Sequence, residues 1–82
     1  MKTTQYFQHV RQRPDRASIC EEWIRYVLDH PEKTENQSDG RIRKWAKIAE
    51  TGRFLRVIVL ADGETVHNAF FDRSFKEGSD ES

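Results

Sequence analysis

The chain has one cysteine, no net charge and no long apolar run, and each of these shortages removes a class of function. Cys20 alone cannot close an internal disulfide. With a single thiol, and with His9, His30 and His67 at no metal-ligand spacing, neither a structural zinc site nor a cofactor is expected. The balance of 14 Lys and Arg against 14 Asp and Glu excludes a uniformly basic, histone-like binder. No segment is apolar over the length a bilayer demands and none reads as a signal peptide, so the expected location is the cytoplasm. Phosphate-cradling glycine loops, a Gly-x-Ser-x-Gly elbow and a setting for a cysteine nucleophile are also missing.

What is present suffices for one small domain. A chain of 82 residues buries only about 60 to 65% of its unfolded surface, which allows a single core. Two Trp, two Tyr and five Phe argue against disorder, because disordered chains are poor in aromatics. No repeat or linker divides the sequence, so residues 1–76 read as one domain and the polar 77–82 as a disordered tail. Charge is unevenly spread. Arg41, Arg43, Lys44, Lys47, Arg53 and Arg56 stand against Glu50 alone, whereas residues 17–40 and 57–82 are acidic. The basic block is the feature that could attract a polyanion.

The clearest local signal is Gly52 to Arg73. Phe54 to Leu60 and Thr65 to Phe71 are β-favouring runs separated by Asp62-Gly63, and Asp-Gly suits a type I′ hairpin turn with positive φ at both central residues. Before it, Tyr6, Phe7 and Val10 fall on one face of a short helix within Thr4–Gln12, with a strand as the alternative. Pro14-Asp15 breaks that element. Ser18 and Glu21 have the spacing of a capping box, followed by a stripe of Ile19, Trp23, Tyr26, Val27 and His30 that Ile24 and Leu28 broaden. Pro31 should end this helix at His30. Residues 32–37 form an edge strand or a loop, and Ser38-Asp39-Gly40 turns the chain into 41–49. That last segment is a strand or a helix; tight bounding by Gly40 and Gly52 favours a strand.

Side chains of a strand alternate between faces, so the hairpin can be sorted directly. Leu55, Val57 and Val59 make a wholly apolar face, expected beneath the helix from Ile19, with Val66, Asn68 and Phe70 beside them across a two-residue turn. Arg56 then shares the opposite face with His67, Ala69 and Phe71, diagonal to His67 at about 7 to 8 Å. The preceding strand would send Ile42, Ala46 and Ile48 to the core, with Lys44 among them, and Arg41, Arg43, Trp45 and Lys47 to the open side. Cations interleaved with rings suit a single-stranded nucleic acid, although a sheet face in water carries Lys and Arg for solubility alone. A metal-free RNA-cleaving site is chemically compatible with these residues: His67 as acid or base, Arg56 and Arg73 at the phosphate. Cys20 reads as small core filler and Trp23 as core.

The motif His9-x-x-x-Arg13-x-x-Arg16-x-x-Ile19, a helix ending at Pro31, Gly40-Arg41, and the Leu55-Arg56-Val57-Ile58-Val59 strand together resemble a family of small bacterial proteins placed beside BrnT-type toxins. More broadly, helices followed by antiparallel strands and an Arg-containing tail resemble the RelE/ParE-like toxin superfamily. The resemblance implies an α+β fold with two N-terminal helices packed on one face of a three- or four-stranded antiparallel sheet. It also implies a toxin-like RNA-binding protein or ribonuclease with an antitoxin partner, and carries over His9, Arg13, Arg56, His67 and Arg73 as site residues. A neutral chain departs from the strongly basic ribosome-dependent toxins. The competing expectation is a non-catalytic module that binds a protein through its open sheet face or sheet edge.

Overall fold

Leu55, Val57 and Val59 alternate along β3 (Arg53–Val59), and all three are fully buried in the computed structural model, which describes residues 2–75. Each contributes about 1.5 to 3 kcal/mol through the apolar surface it withdraws from water. β3 sits inside an antiparallel sheet ordered β1 (Lys33–Asn36), β2 (Ile42–Ile48), β3 and β4 (Val66–Phe71), each strand pairing with its sequence neighbours. The molecule is therefore α+β with a four-stranded antiparallel sheet. Segment 41–49 is a strand, and 32–37 supplies the short edge strand. Ile42, Ala46 and Ile48 line up with β3's core residues. Lys44 lies among them and reaches the rim beside Arg25, Leu28 and Asp29.

Three short helices precede the sheet, where two were expected: α1 (Gln5–Val10), α2 (Pro14–Ala17) and α3 (Glu21–Asp29). The Thr4 side chain caps α1 by accepting from the Phe7 amide, and Phe7 and Val10 are buried beneath it. Tyr6 is turned away and is 53% exposed. Pro14 opens α2, a position where its missing N–H costs nothing. The capping box does not form. Ile19 is drawn into the core, so Cys20 takes the extended cap position without a side-chain bond, and Glu21 pairs with Arg25 at 2.6 Å. Cys20 is thus exposed, not core filler. The stripe on α3 is also rotated from expectation: Ile24 and Val27 are buried, while Tyr26 is 47% exposed. The helix ends at Asp29 with His30 as its C-cap. α1 packs on β4 and α3 on β2 and β3, joining Phe7, Ile19, Ile24 and Val27 to the sheet in one core. Among the described residues no helix is long and apolar enough to cross a membrane.

The β3–β4 connection differs at two points from a two-residue turn. Its tip is closed by Gly63 N–H to Leu60 carbonyl at 2.9 Å, with positive φ at Gly63 and not at Asp62, so no type I′ turn exists. The Asp62 carboxylate instead accepts from the Glu64 and Thr65 amides and the Thr65 hydroxyl. Those bonds hold Asp62 down at about 2, against slight opposition from desolvation and with a small contribution from Lys2.

The second difference lies in β4. Val66 stands opposite Val59 as the sequence implies, but a bulge at His67 slips the remaining pairs by one residue: Ile58 faces Asn68, Val57 faces Ala69 and Arg56 faces Phe70. Without the slip, Asn68 would lie beside Val57 in the core, where an unpaired amide is costly. The bulge sends Asn68 and Phe70 to the other face and buries Ala69, correcting the expected assignment. Lys2 to Thr4 then runs along the start of β4, with Val66 donating to the Lys2 carbonyl and Thr4 donating to that of Val66. The tail 77–82, expected to be disordered, lies outside the described residues.

Candidate functional site

Register places Trp45 directly opposite Arg56, on the sheet face away from the helices, as alternation requires. This face is not open. The chain after β4 folds back across it, so that the Phe75 ring stacks on Trp45 at 5.2 Å and 15° and meets Phe54 edge-on at 4.7 Å. Trp45 is left 3% exposed. Its indole N–H donates to Asp72 Oδ2 at 3.0 Å, and Arg56 Nη2 pairs with the same oxygen at 2.9 Å. Arg56 also lies over the Trp45 and Phe70 rings, 5.3 and 5.0 Å from their centres. The other Asp72 oxygen accepts from the Ser74 amide and hydroxyl. Burial raises the Asp72 carboxyl, but the bonds from Ser74 and Trp45 and the Arg56 charge outweigh it and bring it to about 2.

The sequence reading missed Asp72, Phe75 and Phe70 in this cluster. The one available signal was Phe75, an isolated ring in an otherwise polar stretch after Phe71. The other cations expected here are distributed along the strands. Arg43 pairs with Glu35 at 3.8 Å and, with the Gln37 amide oriented to suit its donors, also bonds that carbonyl. Arg41 pairs with Asp39, and Lys47 is exposed beside Phe54. Arg73 is exposed on a cleft of about 180 Å³ that it shares with Arg53, Phe54, Phe71 and Phe75.

His67 belongs to a different site. Pushed outward by the bulge, its Nδ1 lies 3.1 Å from the Thr4 hydroxyl, and its ring stacks on Tyr6 at 4.9 Å and 22°. Burial lowers its pKa below 6.5, and the Arg41 charge adds to this while Asp39 opposes it, so the imidazole is neutral at pH 7. Next to Tyr6, the exposed His9 on α1 and Arg13 in the turn that follows it line a cleft of about 450 Å³ with Tyr6, Val10, Gln12 and Pro14. The structure therefore gathers His9, Arg13 and His67 around Tyr6 and ties Arg56 into the Trp45 cluster, with Arg73 at its edge. The His67–Arg56 pairing expected across the hairpin does not form: Arg56 faces Phe70 and bonds Asp72.

Chemically, the Tyr6 end offers a ring for stacking, a neutral imidazole that can take a proton, and a guanidinium for an anion. Among the described residues no three His, Cys, Asp or Glu side chains come together in a way that could hold a metal ion. No protein family, curated protein or solved structure matches the chain.

Proposed function

We propose that the chain is a toxin-like RNA-binding protein that engages single-stranded RNA where α1 meets the β4 bulge. The supporting observation is the half-exposed Tyr6 ring stacked on His67 beside the cleft of His9 and Arg13. Bases stack on such rings without demanding a sequence, and the guanidinium takes a backbone phosphate. A neutral His67 can accept the 2′-hydroxyl proton as that oxygen bonds to the adjacent phosphorus and the P–O5′ bond breaks, the leaving 5′-oxygen taking a proton from water, which extends the reading to metal-independent RNA cleavage with Arg13 at the phosphate. Helices ahead of an antiparallel sheet support the RelE/ParE-like reading of the architecture and, with it, an antitoxin partner.

Anisotropy of a labelled ten-nucleotide RNA tests the binding. With the one phosphate contact that Arg13 supplies, affinity should fall about threefold between 50 and 200 mM salt. Tyr6→Ala and Arg13→Ala should each weaken it about tenfold. Binding indifferent to salt and to both substitutions refutes the reading. Cleavage, where present, should persist in chelator and vanish in His67→Ala.

A second reading, a protein-binding module, draws support from the groove of about 350 Å³ between α3 and β2. Trp23, Tyr26 and Ile48 line it, with Glu22 and Glu50 at hand. Light scattering of the purified protein alone and with a co-purified partner separates the two readings, since the RNA reading needs no second chain for binding.

A further inference from the structure

We propose that the sheet face bearing Arg56 and Trp45 is a second RNA-binding surface, closed in this structure by Asp72–Phe75, whose carboxylate and ring occupy the places of a phosphate and a base. The inference rests on the RNA-binding reading above and adds a regulated site to it.

Three observations carry it. First, the ion pair is incomplete. A guanidinium presents Nε and Nη2 as a fork for two oxygens, yet Asp72 meets only Nη2, because its other oxygen is held by Ser74. Arg56 Nε is buried and finds no hydrogen-bond partner among the described residues. A phosphate has enough oxygens to satisfy both nitrogens at once; this carboxylate does not.

Second, Phe75 lies nearly parallel to the Trp45 indole, the geometry in which a base stacks on an aromatic platform. The guanidinium is held between the Trp45 and Phe70 rings independently of Asp72, so the platform and the cation stay in place when the segment leaves. Lys47, exposed across from Phe54 on the same face, supplies further charge for a backbone.

Third, the covering segment is held to the sheet mainly by side chains, the Asp72 carboxylate on Trp45 and Arg56 and the Phe75 ring on Trp45 and Phe54. Its last backbone bond to the sheet among the described residues runs from the Asp72 amide to the Phe54 carbonyl at 3.0 Å, and beyond it Phe75 is held by its ring alone. The cleft of about 180 Å³ beneath Arg73 and Phe75 gives a strand a place to enter.

The test uses the full chain. Phe75→Ala should bind a labelled ten-nucleotide oligouridine about tenfold more tightly than the native protein, and Phe75→Trp should restore native affinity. Circular dichroism confirms that the variants are folded. On the native protein, saturating RNA should shift the Trp45 indole N–H resonance as Asp72 is displaced, a readout that needs no variant. RNA that binds through Tyr6 and Arg13 but leaves both the Trp45 resonance and the Phe75→Ala affinity unchanged overturns the second surface and leaves the first standing. Absence of RNA binding to native and Phe75→Ala proteins overturns both. A free Asp-Arg-Ser-Phe peptide that binds Phe75→Ala where oligouridine does not also overturns it, since the face would then be a site for acidic peptides.

Discussion

Asp72 is bonded on both carboxylate oxygens and is only 7% exposed at its side chain, so its charge is part of the fold. Its folded pKa, about 2, lies below the ordinary 3.8. A depressed carboxyl contributes its stability in full above the unfolded value and loses it as pH falls through the folded one. Asp72→Asn should therefore cost about 2 kcal/mol at neutral pH, with Arg56's partial exposure holding the loss below that of a fully buried pair. The variant should also lose much of the fall in stability between about pH 4 and pH 2. Urea titrations across that range check this, with Asp62 supplying the remaining slope in the same direction. His67 obeys the same rule one step higher: its stabilising effect is complete above 6.5 and is lost as pH drops through its lowered value. Arg41→Gln should raise the His67 pKa and Asp39→Asn should lower it, both visible in an NMR titration of the imidazole.

Among the elements, β3 is the one whose role alternation alone discloses. Leu55→Ala, at a fully buried site in mid-strand, should cost about 2 to 5 kcal/mol in chemical denaturation, because the surrounding side chains cannot close the cavity completely. The β3–β4 loop depends on one conformation. Gly63 has φ +73 with open space around it, so Gly63→Ala should cost about 1 kcal/mol, from backbone strain rather than a clash. The strands, the core face of β2 and β3, and the helix stop before Pro31 were legible because alternation, turn chemistry and proline geometry act over a few residues. The bulge at His67 was not, because it follows from keeping Asn68 out of a core whose other walls are distant in sequence. The start of α3 failed for the same reason: burial of Ile19 prevails over the local capping pattern of Ser18 and Glu21. The Trp45–Phe75 stack is likewise invisible to any local rule, since neither ring's immediate neighbours indicate the other. Consequently the candidate site was legible as a set of residues but not as a grouping. Alternation put Arg56 and His67 together, and the bulge separated them.

At the scale of the molecule, the three strand pairings join neighbours in the chain, while the bond between Thr4 and His67 spans 63 residues. Hairpins close cheaply; a loop of that length costs about 4 kcal/mol in closure entropy before it yields a contact. The sheet and α3 should thus form first and α1 should dock last. Native-state hydrogen exchange should show the α1 amides opening at a lower free energy than those of β2 and β3, and Thr4→Ala, which removes both the cap and the His67 contact, should lower the α1 value by about 1 kcal/mol while leaving the β3 value nearly unchanged. The short contact of Lys2 to Thr4 with Val66 is in effect a clasp on a closed circuit of chain. Tension on the N-terminus would release it first, taking Tyr6, His9 and Arg13 from their places while the sheet stays intact.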